Sequence, residues 1–174
     1  MKRVFLMTFE VSTLVTPLNN PKTNDKFSEI EKEFNQLQTD YQPFIAWKRK
    51  PAKNQFNNID SSGNRVTIQQ NADSEKVIRF FGGSTMWGEG APDEETVASY
   101  LQAMLTKRCD YPVEVSNFGQ RGWVCSQSLI QLMLELRSGN VPDVVVFYDG
   151  YNDVTAAYST GQIGVPEDVD EIAG

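Results

Sequence analysis

VPDVVVFYDG, residues 141–150, holds a Val-Val-Val-Phe run at successive positions, 144–147, where a half-buried strand would alternate apolar with polar. A strand that is apolar on both faces belongs in a parallel sheet covered by helices on either side. Outward from this run the pattern agrees. Lys76–Phe81 is a short β-prone stretch and VEVSNF, 113–118, a second one. DEETVASYLQAMLTKR, 93–108, reads as a helix, with Asp93 as its candidate N-cap and acids in its first turn. SQSLIQLMLELRSG, 126–139, reads as another, opened by Ser126 and closed by a glycine. Alternating strand and helix predicts a doubly wound α/β domain with a parallel sheet.

Composition narrows the function classes. The 174 residues fit one domain able to bury roughly two-thirds of its unfolded surface. With 23 acidic against 16 basic residues the net charge is -7, and no basic cluster exceeds Lys48-Arg49-Lys50, which reads as solvated surface. A general nucleic-acid binder needs a basic face, so that class is excluded. Cys109 and Cys125 are too few for a disulfide framework and too far apart for a metal knuckle. They can pair or stay reduced, and they read as small buried apolar residues. Histidine is absent, which removes the commonest zinc ligand and the usual general base near neutral pH. Neither a metal nor a cofactor is expected.

Upstream of residue 76 the chain is less regular. Its start, MKRVFLMTFEVSTLVTPL, is basic and then mostly apolar, but Glu10 interrupts the run too early for a transmembrane helix or a good signal segment. It reads either as the end of a membrane anchor or as a peripherally packed segment. Phe27, Ile30, Phe34 and Leu37 then recur at helical spacing on one face. Residues 41–75, broken by Pro43, Pro51 and a Ser-Ser-Gly-Asn turn, read as an irregular arm pinned by Tyr41, Phe44 and Trp47. The expected organisation is an N-terminal segment with an amphipathic helix at 1–40, the arm at 41–75, and the α/β domain at 76–174.

Each strand of that domain ends in a loop of unusual chemistry: Gly82-Gly83-Ser84-Thr85, Asn117-Phe118-Gly119, and Gly150-Tyr151-Asn152-Asp153. Ser84 and Gly119 are 35 residues apart and Gly119 and Asn152 are 33, about one strand–helix–strand unit each. The loops therefore recur at the carboxyl edge, where open α/β sheets bind ligands. Ser84 alone has three readings: a nucleophile, part of an anion-binding loop, or a turn residue. The anion loop is weakened because no Lys follows in the P-loop manner and the G-x-G-x-x-G spacing is missing. A serine on a tight turn, a glycine that bares a backbone N–H and an asparagine amide together suit acyl transfer, where negative charge develops on a carbonyl oxygen. Asn152 has a second reading as the cap of the next turn. Trp87 and Trp123 flank the first two loops and suit either a pocket lining or core packing.

In this order and spacing, the blocks resemble those of the SGNH/GDSL hydrolases. Phe81-Gly82-Gly83-Ser84 is similar to the family's first block, with Gly83 in place of its aspartate. Gly119 in NFGQRG matches the second, and Gly150-Tyr151-Asn152-Asp153 the third. GGSTMWGEG, NFGQRGW and PDVVVFYDGYND, with PFIAWKRKP, NNID and GNRVT upstream, resemble a bacterial subgroup that is often membrane-anchored, over residues 41–155. The resemblance implies a flavodoxin-like three-layer α/β/α sandwich and an esterase, lipase or carbohydrate O-deacetylase acting on a small-molecule or glycan ester. It implies Ser84 as nucleophile, with an oxyanion hole from the Ser84 N–H, the Gly119 N–H and the Asn152 side chain, and Asp153 as a support of the loop. It also implies an extracytoplasmic or membrane-associated setting, with a cytoplasmic one as the alternative.

The family's fourth block, Asp-x-x-His, has no counterpart here. The expectation is an N-terminal part of a longer enzyme; the alternative is a non-catalytic binding or accessory module. A three-stranded sheet would leave VVVFY at an exposed edge, which favours the first. Little or no esterase activity is expected of this polypeptide alone, because a serine without its base retains only the effect of binding and oxyanion stabilisation.

Overall fold

A computed structural model of the chain describes residues 21–70 and 73–167. The apolar N-terminal stretch and residues 168–174 lie outside them. Helix α1 (Pro21–Asn35) starts on a proline, whose fixed φ suits a first helical position. A hairpin of β1 (Thr39–Gln42) and β2 (Ala46–Arg49) follows, with Tyr41 opposite Trp47. The sheet and its helices are β3 (Lys76–Gly82), the short α2 (Ser84–Trp87), α3 (Val97–Arg108), β4 (Val113–Asn117), α4 (Cys125–Arg137), β5 (Val144–Tyr148) and α5 (Tyr151–Thr160).

Strand order is β4-β3-β5 and both ladders are parallel, with Ile78 opposite Val115 on one side and Val144 on the other. The protein is thus an α/β fold of the flavodoxin-like kind, a three-stranded parallel sheet flanked by helices. The strand buried on both faces is central β3, not β5: Phe80 and Phe81 point to opposite faces and both are buried. Phe80 packs with Met86, Ala98 and Val115. Phe81 stacks on Phe118 and Phe147, at 5.0 and 5.5 Å between ring centroids. The outer strand β5 is half-buried at all five residues. Among the described residues no helix is long and apolar enough to cross a membrane.

Several local readings need correction. Helix α3 is capped by Thr96, whose hydroxyl accepts the Ser99 N–H at 3.2 Å. Asp93 sits one 3₁₀ turn earlier, where it pairs with Arg65, Nε to Oδ1 at 2.6 Å. The arm is not irregular throughout, since it contains the hairpin. Nor is it pinned by Tyr41 and Phe44, which are exposed; Ile45, Ile59, Asn57 and Arg65 are its buried anchors. Lys48-Arg49-Lys50 is not a solvated face. Lys48 and Arg49 are buried, with the Lys48 ammonium 5.5 Å from the Phe118 ring centroid and the Arg49 guanidinium 4.8 Å from that of Phe34. Long side chains with apolar stems can cover aromatic surface in this way. Cys125 is exposed and Cys109 half-buried, so neither is a core residue, and both are free thiols. On α1, Ile30 and Phe34 are buried, whereas Phe27 is half-exposed.

Candidate active site

Ser84 follows β3 directly and begins α2, so its N–H belongs to the set that a helix start leaves without intrahelical acceptors. Among the described residues nothing accepts that N–H, and nothing hydrogen-bonds the Ser84 hydroxyl. The side chain is half-buried and lines a cleft of about 760 Å³ that it shares with Asn152, from the first turn of α5. Ser84 and Asn152 are thus brought together from two adjacent strand ends.

The Asn152 amide is held in place. Its Nδ2 donates to the Trp123 carbonyl at 2.7 Å, which leaves the second N–H of that nitrogen for another acceptor. Gly83 is what admits it: a Cβ there would lie 2.5 Å from Asn152 Nδ2 and 3.4 Å from the Trp123 carbonyl oxygen. The Gly83 backbone is extended, φ -81°, so the constraint is one of space and not of dihedral angle. Gly83→Ala is therefore expected to push the Asn152 amide off Trp123 and destabilise the fold by roughly 1–3 kcal/mol, as overpacking does. Thermal unfolding checks this; a substitution neutral within about 0.5 kcal/mol would show that Asn152 swings aside freely.

Gly119 is placed differently from the other two. Its N–H donates to Asn117 Oδ1 at 3.0 Å, and an oxyanion would have to share or displace that bond. Its missing side chain is demanded by α2: a Cβ would lie 2.5 Å from the Trp87 amide nitrogen and 2.9 Å from Trp87 Cα. Asn117 completes this junction by donating to the Met86 and Trp87 carbonyls at 3.0 and 3.3 Å. The second loop thus sets the position of α2, and through it Ser84. Trp87 and Trp123 are fully buried and take the core-packing reading.

The third loop carries carboxylates. Asp153 accepts the Cys125 N–H at 3.0 and 3.1 Å on its two oxygens, tying the start of α5 to the start of α4. This is the loop support expected of it. Asp149, just after β5, has both carboxyl oxygens buried, with the Ser128 hydroxyl beside them but outside good hydrogen-bond geometry. Burial pushes its pKa up to about 6; the Ser128 hydroxyl opposes this and the Asp153 charge adds to it. Burial, then the charges of Asp149 and Asp153, likewise raises the Cys125 thiol. Among the described residues no group of three or more His, Cys, Asp or Glu could hold a metal ion.

The rest of the cleft comes from residues that pattern reading passed over. Trp47, Arg49, Gln120 and Arg121 line it beside Ser84. Gln120 is fully buried and clamps the arm to the sheet: its N–H donates to the Gly82 carbonyl, its Oε1 accepts the Arg49 N–H, and its Nε2 donates to the Gly63 carbonyl. Trp47 donates Nε1 to the Arg121 carbonyl at 3.1 Å, and its own carbonyl accepts Trp123 Nε1 at 3.1 Å. The only advance signal was the polar and aromatic density of NFGQRGW and IAWKR. No protein-family model matches the chain and no curated protein does, so the chemistry of this cleft rests on its own residues.

Proposed function

We propose that the cleft is an acyl-transfer site of the SGNH/GDSL kind, with Ser84 as nucleophile toward a small-molecule or glycan ester. The supporting observation is that the Ser84 and Asn152 side chains, far apart in the chain, line one cleft with the Asn152 amide fixed and one of its N–H groups to spare. Ser84 Oγ attacks the ester carbonyl carbon while its proton passes to a base outside the described residues, which returns it to the departing alkoxide. The carbonyl oxygen becomes an oxyanion facing the Ser84 N–H and the Asn152 amide; the alcohol leaves, and water later hydrolyses the acyl-serine. Histidine is absent from the chain and no side chain among the described residues hydrogen-bonds the serine, so added imidazole can stand in as proton acceptor.

One observation favours a second reading, a non-catalytic binding or accessory module: the engagement of the Gly119 N–H by Asn117. Peptide mapping after incubation with p-nitrophenyl acetate separates the two. Turnover should stay low without imidazole. Imidazole should accelerate acetylation at Ser84 beyond that of any other serine, and Asn152→Ala should slow it by about 10²–10³-fold, the loss typical of one oxyanion donor. Acetylation without preference for Ser84, or unaffected by Asn152→Ala, leaves the binding module.

A further inference from the structure

Two arginines line this cleft without a full complement of acceptors. Arg49, at the end of β2, is 8% exposed and donates Nη1 to the Leu37 carbonyl at 2.8 Å. Among the described residues its Nε and Nη2 have no hydrogen-bond acceptor. Arg121, on the loop after β4, is exposed, and its guanidinium lies 5.3 Å from the centroid of the Phe34 ring, the same ring that Arg49 covers at 4.8 Å. Its ionic partner is Glu89 at 3.8 Å, beyond hydrogen-bond distance. Burial and then the Arg121 charge lower the Arg49 pKa, with Glu89 opposing.

Arg65 shows how this protein treats a buried guanidinium elsewhere: it receives Asp93 at 2.6 Å and two well-placed carbonyls. Arg49 receives neither a carboxylate nor a second carbonyl, and it borders the cleft. Both residues line the one cleft and both guanidiniums lie against the Phe34 ring, and guanidinium donors left open in this way match a planar anion. The cleft's own acids do not fill that place, and Glu167 makes no ion pair among the described residues. Asp40 is taken by Lys50 at 3.0 Å, and Glu89 reaches Arg121 only loosely.

We infer that Arg49 and Arg121 form a carboxylate-recognising subsite, and that the ester substrate is a carboxylate-bearing polar ring of the uronate type. This rests on the acyl-transfer reading of Ser84. Trp47, half-buried on the same wall and oriented by its bond to the Arg121 carbonyl, offers a flat surface for such a ring. A monoanion fits better than phosphate, because Asp40, Glu89 and Glu167 also line the cleft and repel a dianion more strongly.

Calorimetric titration of the chain with methyl glucuronoside, methyl glucoside and inorganic phosphate tests the subsite apart from catalysis. Methyl glucuronoside should bind about tenfold more tightly than the glucoside, and more weakly as salt rises. Arg121→Gln removes an exposed side chain whose contacts are one long ion pair and the Phe34 ring, so it should shift Tm little while losing about tenfold in glucuronoside affinity. Arg49→Lys, which keeps the charge and loses the fork, should also weaken binding. Equal affinity for the two glycosides, tighter binding of phosphate, or an unchanged Arg121→Gln protein overturns the subsite. The two readings fail separately: glucuronoside binding with no preferential Ser84 acetylation removes the catalysis and keeps the anion site, whereas Ser84 acetylation without glucuronoside preference does the reverse.

Discussion

Replacing Arg65 with methionine is expected to lower the free energy of unfolding by roughly 3–5 kcal/mol, the loss that follows when one partner of a buried ion pair is removed. Arg65 is 1% exposed, and its guanidinium satisfies Asp93 Oδ1 at 2.6 Å and the carbonyls of Phe56 and Ala91 at 3.0 and 2.8 Å. It also lies 4.0 Å from the centroid of the buried Trp87 ring. Methionine can fill the volume but leaves a buried carboxylate without its cation and the Ala91 carbonyl without its donor, while the Phe56 carbonyl keeps only the Asp93 N–H. Removing Asp93 as well would not restore stability, because Asp93 also accepts the Asn58 N–H and side-chain amide. Urea unfolding gives the measurement. A loss below about 1 kcal/mol would show the pair to be no stronger than an exposed one.

Asp149→Asn should act in the opposite direction, and only above mildly acid pH. In the folded protein the Asp149 carboxyl is raised from near 3.8 to about 6. A carboxyl raised on folding stabilises the native state below its unfolded pKa, and that contribution is lost as pH rises through the folded one. The wild type should therefore lose stability between about pH 4 and pH 6, by at most about 3 kcal/mol. Asparagine carries no charge at any of these values. The variant should match the wild type near pH 4 and exceed it at pH 7; parallel stability curves across this range would place the Asp149 carboxylate in contact with solvent.

The sheet was legible because its signals are local. The strands expected at 76–81 and 113–118 and within 141–150 fall at Lys76–Gly82, Val113–Asn117 and Val144–Tyr148. Apolar runs, intervening helical periods and loop spacing suffice for that. The hairpin was not legible, because its turn puts Phe44 and Ala46 at φ 73° and 67°, a region where glycine or asparagine is the usual sign. Burial of Lys48, Arg49 and Arg65 was equally hidden. It depends on Phe118, Phe34 and Asp93, and only tertiary contact brings these into reach. In the candidate site, Ser84 and Asn152 were singled out by motif and line one cleft, whereas the packing of Gly83 and Gly119 needed atomic neighbours. A glycine looks the same in sequence whether it opens space for a substrate or for a helix backbone.

The paired indole bonds between the hairpin and the loop after β4 bear on how a ligand would be received. Trp47 donates to Arg121 and accepts from Trp123, so the aromatic wall and the arginine beside it are fastened to one another before anything enters. Most of the ordering entropy of that wall is then spent in folding and not in association. Such a cleft would discriminate by a shape already present before the ligand arrives.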